Sequence, residues 1–237
     1  MESIERRRLR NALAVGALSL WIGACAIAYP PLIELALSRF GVSGVASAML
    51  LLLALSFALW GRRSRAAQRG GGAASAGVAA LLVGAAASGR ALYLELIPSV
   101  VYFGLAGWFA ASLRARDSLV ERAARWLVPE VPAFIRAYCR KLTAFWAIFF
   151  AASALAIAAP ALAGDHEAWR FASGRLVLAS MLAASLVEFL VRKTWFRYYF
   201  HRGWFDRLWE KIFPAHNTEQ GRRSMEYIAE YWRQRNG

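Results

Sequence analysis

The sequence predicts an all-α polytopic membrane protein with about six transmembrane helices and amphipathic cytoplasmic segments. Of its 237 residues, 59% are hydrophobic and 19% are charged, whereas a soluble domain averages about 45–50% apolar and about 25% charged residues. The apolar residues are gathered into segments of about twenty, a length that crosses a hydrocarbon core of about 30 Å. The cationic residues lie between these segments, so the charge pattern agrees with the hydropathy pattern.

Six apolar segments are expected to cross the membrane: residues 12–36, 43–60, 71–89, 92–113, 142–163 and 174–191. Residues 1–191 would then form a transmembrane bundle, and residues 192–237 a basic, aromatic, helical cytoplasmic tail. Pro30 and Pro31 remove two backbone donors and are expected to kink or end the first span. The third span is rich in Ala and Gly, and such small residues suit the inside of a bundle better than contact with lipid.

The distribution of Lys and Arg predicts the orientation of these spans. If all six segments cross, 25 of the 29 cations lie on one side, and only Arg39, Arg90, Arg170 and Arg175 lie on the other. We therefore expect a multi-pass protein of the bacterial inner membrane, with both termini in the cytoplasm and three short loops outside. The first span follows a basic segment but is long and lacks a good cleavage site, so we interpret it as an uncleaved helix.

Cations and aromatic residues mark the expected cytoplasmic ends of spans five and six. Because cations snorkel to headgroups and Trp prefers the interface, we expect membrane anchors at Arg140, Lys141, Trp146, Arg192, Lys193 and Trp195. Residues 117–128 have the spacing of an amphipathic helix, with Glu121 among its polar positions. That helix would lie in the membrane plane or pack as a linker on the inner end of the bundle. A last helix is expected at about 218–235.

Three acidic residues lie in or beside the apolar spans and are candidates for function. Glu34 and Glu95 are expected near the outer ends of spans one and four, where Arg39 or Arg90 would pair with one of them. Glu188 lies near the inner end of span six, four residues before Arg192, so a helical ion pair is expected. These acids are interpreted as interfacial and paired, or as parts of a proton or substrate path. No carboxylate cluster occurs in mid-membrane, which argues against a proton-coupled pump.

One short motif, "HRGWFD", places His201 and Asp206 at the H-x-x-x-x-D spacing of glycerolipid acyltransferases. In those enzymes His acts as the base and Asp orients it. The glycine-rich phosphate-binding block that such enzymes carry further on is absent, so this pair is only a weak catalytic candidate. Asp165, His166 and Glu167 are adjacent, but no second His lies near enough to make metal-ligand spacing. No cofactor or metal is expected, and Cys25 and Cys139 are too few for a disulfide framework.

The tail after residue 191 interleaves cations with aromatic side chains, for example in "RKTWFRYYFHRGWF". Cations near an anionic leaflet are each worth about 1 kcal/mol, so the first expected partner is a bilayer with anionic headgroups. Acidic cytoplasmic proteins, such as acyl carrier proteins or synthases, are a further expected partner. Aromatic residues among cations also suit single-stranded nucleic acid, but a membrane surface selects the same composition, and nucleic acid is not the preferred interpretation.

The second half of the chain resembles a known family. The runs "RALYLELIPSVVYFGLAGWFAASL", "SLVERAARWLVPEVPAFIRAYCRKLTAFWAIFFAASALAIAA" and "WRFASGRLVLASMLAASLVEFLVRKTW" are similar to small bacterial inner-membrane proteins encoded beside aryl-polyene or xanthomonadin-type pigment genes. A more distant likeness is to the intracellular septation protein A family. The most specific matching residues are Arg136, Tyr138, Arg140, Thr143, Trp146, Phe149, Phe150 and Glu188. A polar residue usually follows the Phe pair, whereas this chain has "FFAASA".

The resemblance implies a setting among fatty-acid-synthase-like enzymes and acyl carrier proteins. The leading hypothesis is a non-enzymatic accessory protein of the inner membrane that scaffolds, or assists export in, the biosynthesis of a polyene or lipid-like product. One alternative is a small transporter or flippase with Glu34, Glu95 and Glu188 near its path. Others are an envelope or septation protein, which the distant family suggests, and an acyltransferase that uses His201 and Asp206.

Overall fold

The computed structural model describes Tyr29 and residues 31–57, 65–127, 133–195 and 204–236, and this part of the chain is helical with connecting turns and no strand. The helices are α1 (Pro31–Phe57), α2 (Arg65–Ser88), α3 (Leu92–Glu95), α4 (Ile97–Ser112), α5 (Leu119–Leu127), α6 (Ala133–Ala163), α7 (His166–Arg170), α8 (Val177–Trp195), α9 (Trp204–Ile212) and α10 (Glu219–Asn236). A π-helix, Phe171–Leu176, joins α7 to α8, and a 3-10 turn, Ala215–Asn217, precedes α10. The predicted all-α class is confirmed for these residues.

Among the described residues, four helical runs are long and apolar enough to cross a membrane: Pro31–Phe57, Leu92–Ser112, Phe134–Ala163 and His166–Trp195. Gly72–Ser88, the apolar part of α2, is shorter. Large apolar side chains on these runs are exposed, including Leu51 at 72% and Ile148 at 70% of their full area. Hydrocarbon is a solvent in which such exposure costs nothing, so this pattern is typical of a membrane protein.

The chain divides into two compact units, Met1–Leu178 and Ala179–Gly237, and α8 begins in the first and continues into the second. In the second unit, the indole of Trp209 in α9 donates to the Thr194 hydroxyl at 3.3 Å. The Ser224 hydroxyl in α10 donates to the carbonyl of Trp195 at 3.5 Å. Helices α9 and α10 are therefore both attached to the C-terminal end of α8.

Three glycines adopt left-handed backbone conformations. Gly89 (φ 65°) follows α2, and Gly164 (φ 75°) follows α6, as expected for glycine just past the end of a helix. Gly41 (φ 66°) has the same conformation inside the run Pro31–Phe57. A right-handed helix does not accommodate a positive φ, so that run is not one regular α-helix.

Small residues let α2 and α4 pack closely, as the composition of the third predicted span suggests. A Cβ added at Gly77 would lie 2.9 Å from Cγ1 of Val100, one at Gly84 would lie 3.1 Å from the ring of Tyr93, and one at Gly104 would overlap Cβ of Ala74. The pairs run in opposite sequence directions, so α2 and α4 are antiparallel neighbours joined through Gly89 and α3.

Apolar side chains of the first unit form two buried clusters. The first joins the Pro31–Phe57 run to α2, α3 and α4, with Ile33, Val45, Ala46, Leu82, Ala85, Leu94 and Ile97 at its centre. The second, called here the Trp169 cluster, consists of Ile157, Ala161, Trp169, Ala172 and Val177, with Leu92, Leu96 and Tyr102 packed against it. Aromatic contacts extend the packing between α4 and α6, where the rings of Phe109 and Phe150 lie 5.3 Å apart.

Helix α6 begins at Ala133, whereas the fifth span was expected to begin at residue 142. The earlier start places Arg136, Arg140 and Lys141 inside the helix. Hydropathy identifies only the part of a helix that crosses lipid. It therefore does not detect polar turns that precede this part in the same helix. The predicted helices at 117–128 and 218–235 correspond to α5 and α10, with ends that differ by one or two residues.

We predict that Gly104→Leu destabilises the first unit, because its side chain would overlap Ala74 on α2. Overpacking of this kind costs about 1–3 kcal/mol. Thermal unfolding of purified protein in detergent measures the effect. Gly107→Leu is the matched control, since a Cβ at Gly107 meets nothing within 4 Å. Equal melting temperatures for the two variants would contradict the close approach of α2 and α4.

Candidate functional site

Glu95, at the end of α3, is a buried acidic residue beside the apolar helices, with 7% of its area exposed. Its Oε1 lies 2.8 Å from Nδ1 of His166, the first residue of α7. A buried carboxylate needs a hydrogen-bonding or charged partner, and His166 provides one. The His166 side chain is itself 69% exposed, so the pair connects a buried acid to the surface.

Pro98 explains why this end of α4 is open to other donors. Proline has no amide hydrogen, so the carbonyl of Leu94, four residues earlier, lacks its usual helical partner. The Tyr29 hydroxyl donates to that carbonyl at 3.1 Å. The next carbonyl, that of Glu95, accepts from the Trp169 indole at 2.9 Å. Two distant side chains therefore satisfy the backbone where α3 passes into α4.

The turn after α6 positions both His166 and Trp169. Gly164 reverses the chain with its positive φ, and the Asp165 side chain then accepts a hydrogen bond from the Ala168 amide at 2.9 Å. This is an ordinary N-cap, and it starts α7 at His166. Because His166 and Trp169 are three residues apart, they share one face of the helix. On that face the His166 imidazole contacts the Glu95 carboxyl group, and the Trp169 indole contacts the Glu95 backbone carbonyl.

Glu34 lies beside this site, and its carboxylate pairs with Arg170. The Arg170 Nε to Glu34 Oε1 distance is 3.1 Å, and both side chains are 48% exposed. Such an exposed pair is worth about 0–1 kcal/mol. The prediction that Arg39 or Arg90 would pair with Glu34 or Glu95 is wrong, since His166 and Arg170 are the observed partners. The prediction considered only arginines close in sequence to these acids, whereas the turn at Gly164 brings α7 beside α3.

A second polar cluster lies where α4, α5 and α6 meet, and we call it the Glu121 cluster. Glu121 is 1% exposed, and its Oε1 lies 2.9 Å from Nη2 of Arg125 and 3.3 Å from Nε of Arg136. Arg125 also reaches Asp117 at 3.1 Å. The hydrogen bond with Glu121 raises the pKa of Arg125 above its usual value, so this guanidinium stays charged.

The sequence interpretation grouped Glu121 with the solvated positions of α5, and the structure buries it. The available signal was "SLVE", in which Ser118 and Glu121 have the spacing of a capping box. The Glu121 amide does donate to the Ser118 hydroxyl, at 3.4 Å. Nearby, Arg140 donates to the carbonyls of Leu113 and Ala115 at 2.6 and 3.3 Å. These contacts attach α5 to α6 and agree with the linker alternative for residues 117–128.

The other predicted anchors occupy varied positions. Trp146 packs within α6 against Phe145, Phe149 and Phe150, with ring centroids 5.4 to 5.7 Å away. Lys141 is exposed, and Trp195 is 37% exposed at the end of α8. Arg192 and Lys193 lie over the Phe189 ring at 5.8 and 5.9 Å.

The ion pair predicted from helical spacing is present, because Arg192 Nε lies 3.1 Å from Glu188 Oε1. The geometry of the weak catalytic candidates cannot be described: Asp206 falls in α9, and His201 lies outside the described residues. Within the described ranges, no three His, Cys, Asp or Glu side chains are grouped to hold a metal ion. Cys139 is buried in α6.

A scan against protein-family models matches no family, and searches of curated proteins and of solved structures find no match for this chain.

We predict that Trp169→Phe destabilises the protein, because the Glu95 carbonyl would lose its indole donor at a buried position. Leaving a buried acceptor without its partner costs about 1–3 kcal/mol. The melting temperature in detergent should fall well below that of Trp108→Phe, a matched change at a position that is 45% exposed. Equal effects of the two substitutions would show that the indole hydrogen bond contributes little.

Proposed function

We propose that the protein is a non-enzymatic accessory protein of the bacterial inner membrane, which holds acidic partner proteins at the cytoplasmic surface while a polyene or lipid-like product is made or exported. The observation that carries this proposal is the charge of the surface around the Glu121 cluster. There Glu121 is buried and Asp117 is paired with Arg125, while Arg114, Arg116 and Arg122 are exposed. The described residues of this corner therefore present mainly cations.

The attachment of α5 to α6 supports this role, because it holds the cations in a fixed arrangement. Thr143 in α6 accepts from the Val120 amide at 3.4 Å, and Arg140 donates to the end of α4. A preorganised charged surface loses less side-chain and loop entropy on binding. Acyl carrier proteins are generally acidic, so complementary charge would increase their rate of encounter.

The proposal includes six spans with both termini in the cytoplasm. It is supported by the left-handed conformations of Gly41, Gly89 and Gly164, because in this topology Gly41 and Gly164 fall in outer loops and Gly89 at the outer end of the third span. Gly41 would then separate spans one and two inside the helical run Pro31–Phe57. The pairs of Glu95 with His166 and of Glu34 with Arg170 would face the outside, and the Glu121 cluster the cytoplasm.

We predict that a membrane-impermeant maleimide labels Ser88→Cys in intact cells but labels Arg122→Cys only after permeabilisation. Both positions are exposed, and the proposed topology places them on opposite sides. The background carries Cys25→Ala and Cys139→Ala, so that each variant has a single thiol. Labelling of Arg122→Cys in intact cells, or protection of Ser88→Cys in them, would contradict the orientation.

We predict that replacing Arg114, Arg116 and Arg122 by Gln slows binding of a purified acidic acyl carrier protein to the full-length protein in nanodiscs. Electrostatic steering changes association rates by roughly 10- to 1,000-fold. We therefore expect the association rate in low salt to fall by about tenfold, which is the lower limit of that range. The difference should shrink as salt screens the charges.

The matched control replaces Arg39, Arg90 and Arg175, which are equal in number, are also exposed, and lie on the proposed outer side. If both triple variants bind the carrier protein at the rate of the unmodified protein, the docking role is wrong. If both triple variants slow binding equally, the association rate depends only on net charge, and this surface is not a specific docking site.

A small transporter or flippase is the second candidate, and the burial of Glu95 favours it. Ionisable groups buried in membrane segments often mark a path. Glu95→Gln should abolish export of the product if the carboxylate lines that path, and should leave export unchanged if the pair with His166 is structural. Glu34→Gln, at an exposed acid beside it, is the control.

A further inference from the structure

Hydroxyl groups on the apolar helices of this chain mostly satisfy themselves. Seven of them donate to a backbone carbonyl three or four residues earlier: Ser38, Ser56, Ser88, Ser112, Thr143, Ser153 and Thr194. This local bond is the usual solution for Ser and Thr in membrane helices. Ser99 and Ser173 differ, because their hydroxyl oxygens are buried and have no hydrogen-bond partner among the described residues.

Helical spacing places both serines beside the Trp169 cluster. Ser99 in α4 lies three residues after Leu96 and three before Tyr102, and both of these pack against that cluster. Ser173 lies four residues after Trp169 and four before Val177, which belong to it. Residues three or four apart share a helical face, so the two serines line the same junction. They are 2% and 8% exposed.

The backbone beside each serine departs from that of a regular helix. The carbonyl four residues before Ser99 is that of Glu95, which already accepts from the Trp169 indole at 2.9 Å. Ser173 lies in the π-helix Phe171–Leu176, whose wider turns displace the carbonyls from their α-helical positions. Such π-helical turns occur often at functional sites.

We propose that Ser99 and Ser173 form a buried hydrated site, in which ordered water bridges the two hydroxyls one helical turn below Glu95 and Trp169. Buried water typically makes about three hydrogen bonds to otherwise unsatisfied polar groups, and the two hydroxyls would provide two of them. An unsatisfied polar group in an apolar interior costs several kcal/mol in principle, and water removes that cost. The site extends the polar surface that starts at His166 and Glu95 into the apolar interior.

The first test compares Ser99→Ala and Ser173→Ala with Ser153→Ala in the full-length protein in detergent. Ser153 is a matched control, since it is 6% exposed and bonds only to the Phe149 carbonyl of its own helix. If water links the two helices, each alanine at the proposed site lowers the melting temperature more than Ser153→Ala does. An additional shift of about 2–4 °C corresponds to a loss of about 1 kcal/mol at this chain length.

A rise in melting temperature would show that the hydroxyls are simply unsatisfied, and a loss equal to that of Ser153→Ala would show an ordinary backbone bond. Either result overturns the proposal. The second test is radiolytic hydroxyl labelling, which oxidises side chains beside bound water. Trp169 is 3% exposed, yet its oxidation and that of Tyr102 should be detectable and should be lost in the Ser99→Ala, Ser173→Ala double variant.

Oxidation of Trp108, which is 45% exposed, should be the same in both proteins. Unmodified Trp169 and Tyr102 in the parent protein would overturn the proposal, and so would labelling that the double variant leaves unchanged. Neither test depends on the orientation of the chain in the membrane or on its partners. Failure of this inference is therefore distinguishable from failure of the proposed accessory role.

Discussion

The absence of an amide hydrogen at Pro98 is the constraint on which the first unit depends. It removes the donor that the Leu94 carbonyl would receive from four residues later in a regular helix, and an apolar environment favours a side chain that supplies a bond there. Tyr29 and Trp169 supply donors to the carbonyls of Leu94 and Glu95. Tyr29, the α3–α4 junction and α7 therefore meet at a single place.

The same junction accounts for the polarity around it. The Glu95 carbonyl accepts from the Trp169 indole, and Oε1 of the same residue lies 2.8 Å from Nδ1 of His166. Polar groups of α3, α4 and α7 are therefore gathered beside the carbonyl that lacks a donor at Pro98.

The Glu121 cluster follows a different principle. There the ionisable groups lie at the end of the apolar helices, and a buried acid organises cations instead of compensating for a broken helix. Glu121 draws Arg125 and Arg136 together, and Arg140 closes the end of α4. At this corner the described acidic side chains are buried or paired, and the cationic side chains are exposed. The two clusters thus differ in chemistry: one joins distant segments through neutral donors, and the other arranges surface charge.

The sequence by itself determined the helical class and the apolar segments, because hydropathy and charge report directly on which solvent surrounds each residue. It also predicted the pair of Glu188 with Arg192, since both lie on one helix and their spacing is enough. Only the tertiary structure decided the partners of Glu34 and Glu95, the burial of Glu121 and the isolation of Ser99 and Ser173. These depend on contacts between separate helices, some of them between residues 71 positions apart, as for Glu95 and His166, and helical spacing alone does not predict which helices meet.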